Sequence, residues 1–108
     1  MSLAFADAAP DAGAAGCVIH LPAELGIESA SELHRDLVAH VEDAAPVVLD
    51  AAAVARVHTA ALQLFCLFCR DRREVGLETH WLAPSVALRS AATLLGVAGL
   101  MNLPPESR

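Results

Sequence analysis

The chain has no lysine and no tyrosine among its 108 residues, and its aromatic content is one tryptophan and three phenylalanines. Every cationic side chain apart from histidine is one of seven arginines, set against thirteen acids for a formal charge of −6. With no basic block, the composition argues against nucleic acid or an anionic membrane as partner. Long apolar runs are missing too. The strongest, Leu64 to Cys69, is bounded by Gln63 and Arg70, whereas a bilayer span needs about twenty residues. No glycine-rich phosphate loop is present. The opening MSLAFADAAPDAGAAG carries Asp7 and Asp11 and no positive n-region, so it is not read as a signal peptide. Three cysteines, an odd number, offer no disulfide framework. A reducing cytoplasm is the expected location.

What the chain has in excess is alanine, 23 residues of it. The 56% hydrophobic figure therefore overstates the large apolar side chains, which make up about a third of the chain, an ordinary globular fraction. A chain of this length builds one small core. Three segments are expected: 1–15, an N-terminal piece with a possible short strand at Leu3–Ala6; 16–103, the folded domain; and 104–108, a tail after Pro104.

Within the domain, Cys17–Leu21 is a compact β-type run closed by Pro22. Ser29 and Glu32 fit a capping box, and Ala30, Leu33, Leu37 and Val41 then recur on one helical face. Val47-Val48-Leu49-Asp50 reads as a buried strand with a central place in the sheet or cover on both faces. Ala51–Arg56 connects it to a dense helix that begins near Val57 and runs to about Glu74, with Gly76 as its stop. Leu77–Leu82 is a further strand containing Trp81. Pro84-Ser85 opens a last helix, Val86 to Leu95, with Gly96 at its C-cap. The apolar residues of Leu100–Leu103 are expected to dock on the core. This alternation predicts an α/β domain: a small mixed sheet of about four strands covered by three to four helices.

The chemistry-bearing candidates cluster where the connector turns into the second helix. Thr59 falls at the N-cap or first turn, where orphan amides favour an anion or a phosphorylated hydroxyl, and where a threonine also serves simply as a cap. His58 beside it invites a nucleophile–base pair, but no third group orients it, so no catalytic residue is assigned. In helical projection Ala61, Leu62, Leu64, Phe65, Phe68 and Cys69 share a broad apolar face, and Leu67 falls opposite, between Gln63 and Asp71. Cys66 and Cys69 spell C-x-x-C but lie inside the helix rather than at its N-terminus, so they read as small core hydrophobes. His20, His34, His40 and His80 show no zinc-ligand spacing. No metal and no cofactor are expected. His34 and His40 are placed on the solvent side of the first helix. Arg70, Arg72 and Arg73, with Asp71 and Glu74, are read as a solvated helix end.

These stretches together resemble a STAS domain, the module of anti-sigma-factor antagonists and of sulfate-transporter tails. The resemblance runs through Leu21-Pro22-Ala23-Glu24-Leu25 with Ala30-Ser31-Glu32-Leu33, through Val47–Asp50, and through Val57-His58-Thr59-Ala60-Ala61-Leu62-Gln63-Leu64. It ends in Leu82-Ala83-Pro84-Ser85 and Leu94-Leu95-Gly96-Val97, spanning about residues 16–103. It implies a non-enzymatic module that docks a protein partner through the strand-to-helix turn: His58, Thr59, Ala60, Ala61, Gln63 and Leu67.

Family members usually read Asp-Ser-Ser-Gly-Leu or Asp-Thr-Ala/Gly-Gly-Leu at this turn, and in sporulation-type members the second hydroxyl accepts phosphate from a partner kinase. Here that position is Ala60, the acidic position is His58 and the glycine position is Ala61. Alanine accepts no phosphate, so Thr59 is the candidate phosphoacceptor. Thr59 also matches the threonine of non-sporulation relatives, including the soluble STAS subunit of ABC lipid transporters. The implied partners are an anti-sigma kinase-like protein, an ABC-transporter ATPase or a chemosensory component. The alternative is a sensor that binds a nucleotide or small anion at the same helix start.

Overall fold

The structure, a computed structural model, describes residues 17–104; the expected strand at Leu3–Ala6 lies outside them. The elements in order are β1 (Cys17–His20), β2 (Glu24–Leu25), α1 (Ala30–His40), β3 (Val47–Asp50), β4 (Arg56–Val57), α2 (Thr59–Glu74), β5 (Thr79–Leu82) and α3 (Val86–Leu95). The expected α/β class is observed. All described pairings are parallel: β1-β3-β5 form one sheet and β2-β4 a second, two-residue one.

β3 takes the central position, pairing Val47 with Cys17 on one side and with Thr79 on the other. Val47 and Leu49 are fully buried, whereas Val48 and Asp50 are half-buried. The apolar run therefore reflects a central strand with one face in the core, and the other face is only partly covered. Leu33 and Leu37 of α1, Phe65, Phe68 and Cys69 of α2, and Leu88 and Ala92 of α3 complete one continuous core. Phe65 meets Trp81 edge-on, with centroids 5.1 Å apart and planes at 79°, the arrangement that ring quadrupoles favour. The C-terminal segment docks as expected: Met101 and Leu103 are buried. The Met101 carbonyl accepts from Trp81 Nε1 at 2.7 Å and from Cys69 Sγ at 3.3 Å.

Helix ends follow local chemistry with one exception. Ser85 Oγ accepts from the Leu88 amide and caps α3, which ends at Gly96 with φ 72°, a left-handed conformation that costs a side-chain-bearing residue about 1–2 kcal/mol. The capping box expected at Ser29 and Glu32 does not form. Ser29 has helical backbone angles, makes no cap bond, and donates its hydroxyl to the Glu24 carbonyl instead. That bond ties α1 back to β2.

The reading of Arg72 as part of a solvated helix end is also corrected: its side chain is fully buried. Its Nη1 reaches the carbonyls of His40, Val41 and Asp43, its Nη2 those of Ala45 and Glu78, and its Nε the Thr79 hydroxyl. Arg70 and Arg73 do stay outside, Arg70 on Asp71 and Arg73 on the Asn102 side-chain oxygen.

Candidate docking site

β4 delivers the chain to α2 through His58, whose amide donates to the Leu25 carbonyl at 2.8 Å. His58 is extended (φ −88°, ψ 153°) and is itself the N-cap: its Nδ1 accepts from the Ala60 amide at 3.2 Å. Thr59 is therefore a first-turn residue whose hydroxyl is not used as the cap. It is exposed, as are His58 and Gln63, and Ala60 is half-buried. Leu67, two turns further on, is 46% exposed.

Thr59, Gln63 and Leu67, four residues apart, form a slanting stripe along the outside of α2. Ala61 turns the other way and is buried in the core, so of the six candidate residues it supports the surface rather than presenting it. The rest of α2's inward face is as projected, with Leu62, Phe65, Phe68 and Cys69 buried and Leu64 packed partly against them.

The stripe borders α1. Ala60, Gln63, Leu64 and Leu67 line one shallow depression with Ala30, Ser31 and His34. Further along the same helix pair, Leu67 joins Val38, Val41 and Leu64 in an open groove of about 140 Å³, flanked by His34 and Asp71. Val38 is 55% exposed. Two branched apolar side chains, one from each helix, thus stand exposed at this groove, about two turns along α2 from Thr59.

The C-x-x-C pair does not carry redox geometry. Cys66 is half-buried and Cys69 fully buried, and burial pushes both thiols up, that of Cys69 to about 12. A redox cysteine needs the opposite shift. Asp50, at the end of the central strand, bonds His20 Nδ1 at 2.8 Å and the Ala52 amide at 3.1 Å, and so fixes the turn after β3. One cluster escaped the sequence reading: Cys17, His40 and Asp43 come together at the end of α1. His40 is half-buried rather than on the open solvent side. The legible part was the three-residue spacing of His40 and Asp43 at a helix end; Cys17 joins them only through the fold.

A small parallel α/β domain with an exposed helix start beside a two-helix groove belongs to the class of interaction modules. A family model described as "Mlab, STAS domain" matches residues 8–104, and the chain belongs to this STAS family. No curated protein matches the chain. STAS membership makes it a STAS-type interaction module, of a family whose domains are generally non-catalytic. No helix among the described residues is long and apolar enough to cross a membrane.

Proposed function

We propose that this STAS domain regulates a protein partner by docking it on the outer stripe of α2, with Thr59, Gln63 and Leu67 as the contacts and the α1–α2 groove as the apolar seat. The observation that carries this reading is the position of Leu67. Exposed beside Val38, on the same helix face as Thr59, it offers an apolar anchor within a polar rim. Occupancy by one partner would exclude another, which is regulation by sequestration and needs no catalysis. The partner classes are an anti-sigma kinase-like protein, the ATPase of an ABC transporter, or a chemosensory component.

Thr59 is the phosphoacceptor in this reading, since Ala60 has no hydroxyl. A phosphate there adds about −1.5 to −2 charges at the positive end of the α2 dipole. The same charge would oppose an apolar or acidic partner. A nucleotide or small-anion sensor is less well supported. Around the helix start, Ala30, Ser31, His34, Ala60 and Gln63 include no lysine or arginine to neutralise a phosphate.

The test is calorimetric titration of the purified domain with a protein of each proposed class, an anti-sigma kinase-like protein and an ABC-transporter ATPase. Leu67→Asp and Thr59→Glu should each weaken binding more than about tenfold, or about 1.4 kcal/mol, with an unchanged circular dichroism spectrum. If both variants bind as tightly as the wild type, the docking surface lies elsewhere.

A further inference from the structure

The end of α1 holds a second constellation, unrelated to the α2 stripe. Cys17 opens β1 with its amide on the Pro46 carbonyl, His40 is the last residue of α1, and Asp43 lies in the turn that follows. His40 Nδ1 is 2.7 Å from Asp43 Oδ2, and His40 Nε2 is 3.7 Å from Cys17 Sγ. One ligand atom from each of the three residues lies within 4.8 Å of the other two, and all three residues are half-buried. We propose that Cys17, His40 and Asp43 form a binding site for a thiophilic divalent cation of the zinc class.

Three observations support this assignment. The donor set is sulfur, imidazole nitrogen and carboxylate oxygen, which suits zinc and excludes the hard ions calcium and magnesium, which take oxygen alone. The spacing is near what an ion requires, because ligands at about 2.0–2.3 Å from a tetrahedral centre stand roughly 3.3–3.7 Å apart. The Cys17–His40 separation already matches for an ion on Nε2; Asp43 bonds the opposite ring nitrogen, Nδ1, and joins the ion by giving up that bond and rotating across the ring edge.

The third observation is that the backbone beneath the site is fixed. The buried guanidinium of Arg72 holds the carbonyls of His40 and Asp43 at 3.0 Å each. Its donors are committed to carbonyls and to Thr79 and take no ligand atom of the three side chains, which contact one another instead. Without a cation, burial and the Asp43 charge keep the Cys17 thiol protonated, although Arg72 draws it partly back. On binding, the Cys17 S–H bond breaks as the metal–sulfur bond forms, and one proton leaves to solvent. His40 gives a ring lone pair, Asp43 gives a carboxylate oxygen, and the fourth position is left to water. Two anionic ligands then balance the divalent charge.

Cobalt(II) is the probe. One equivalent per chain should bind to the full-length protein and produce a thiolate-to-cobalt charge-transfer band. Cys17→Ser should abolish that band, and His40→Gln should weaken binding more than about tenfold; Cys66→Ser should leave it unchanged. The variants keep the backbone carbonyls that seat Arg72, and their thermal melts would show whether the fold is retained. A readout on the wild type alone is alkylation by iodoacetamide, mapped by mass spectrometry. Zinc should slow labelling of Cys17 but not of Cys66. No cobalt band at equimolar metal, a band that survives Cys17→Ser, or equal Cys17 labelling with and without zinc would each overturn the proposal.

Discussion

Arg72 Nε donates to Thr79 Oγ1 at 2.9 Å, and both side chains are buried. The contact joins the last turn of α2 to the first residue of β5. The rest of the guanidinium collects carbonyls from the end of α1, from Asp43 and Ala45 in the connection to β3, and from Glu78 just before β5. Burial pulls the Arg72 pKa down, yet an arginine stays charged. The carbonyl cage and the face of Phe68, 5.8 Å away, are what make that buried charge tolerable. The cation also sits where the dipole of α1 is most negative, over the His40 and Val41 carbonyls. One side chain thereby caps one helix while extending from another.

Arg72→Met should accordingly destabilise the domain by about 3–5 kcal/mol, since it strands several buried carbonyls at once. Arg72→Lys should recover little of this, because an ammonium cannot span the fork of acceptors. Thr79→Val, which leaves Nε–H alone unpaired, should cost about 1–3 kcal/mol. Urea denaturation measures all three. A lysine variant within about 0.5 kcal/mol of the wild type would show that charge alone, rather than the planar fork, does the holding.

The elements legible in the sequence were those with enough length to show a period. The face of α2 was readable from Ala61 to Cys69, and β3 and the capped α3 from their flanking prolines, serine and glycine. β2 and β4 were not, since two residues carry no periodicity and their pairing of Leu25 with Val57 exists only across the fold. Arg72 misled for a related reason. An arginine among Arg70, Asp71 and Arg73 near a helix end looks solvated, and only residues 40–45 and 78–79, brought from elsewhere, make it a buried centre. The capping box failed because Ser29 found a tertiary acceptor in Glu24. Of the outer stripe of α2, Gln63 and Leu67 followed from helical projection alone, whereas the cap role of His58 depended on its extended backbone.

That cap role gives a prediction at the helix start. His58 offers a ring nitrogen to the Ala60 amide at 3.2 Å, a longer bond than a carboxylate makes, and brings no negative charge to the positive end of α2. Aspartate, the residue usual at this position in the family's motif, is among the preferred caps. His58→Asp should therefore raise stability by about 0.5–1 kcal/mol, and His58→Ala should lower it by about 0.5–2 kcal/mol. Thermal melts of the two variants against the wild type decide it. If the aspartate variant melts lower than the alanine one, the imidazole has a role other than capping.

The missing lysine and tyrosine make the alkaline limb of the stability curve unusually clean, because between pH 9 and 11 the three thiols are the side chains left to titrate. Cys69 has the largest shift. Its thiol is fully buried, donates to the Met101 carbonyl at 3.3 Å, and is pushed by burial from an ordinary value of 9.0 to about 12. Cys17 and Cys66 are raised as well, so all three act in one direction. Above pH 9 the unfolded chain has lost thiol protons that the folded chain keeps, and stability falls as pH rises. The slope approaches about 1.4 kcal/mol per pH unit for each thiol held fully protonated. Below pH 8 the thiol contribution is fully present. Urea midpoints at pH 7.5, 9 and 10.5 should show this break, and Cys69→Ala should lower stability at pH 7.5 while flattening the decline above pH 9. A variant whose alkaline slope equals that of the wild type would show that the Cys69 proton is not what the fold protects.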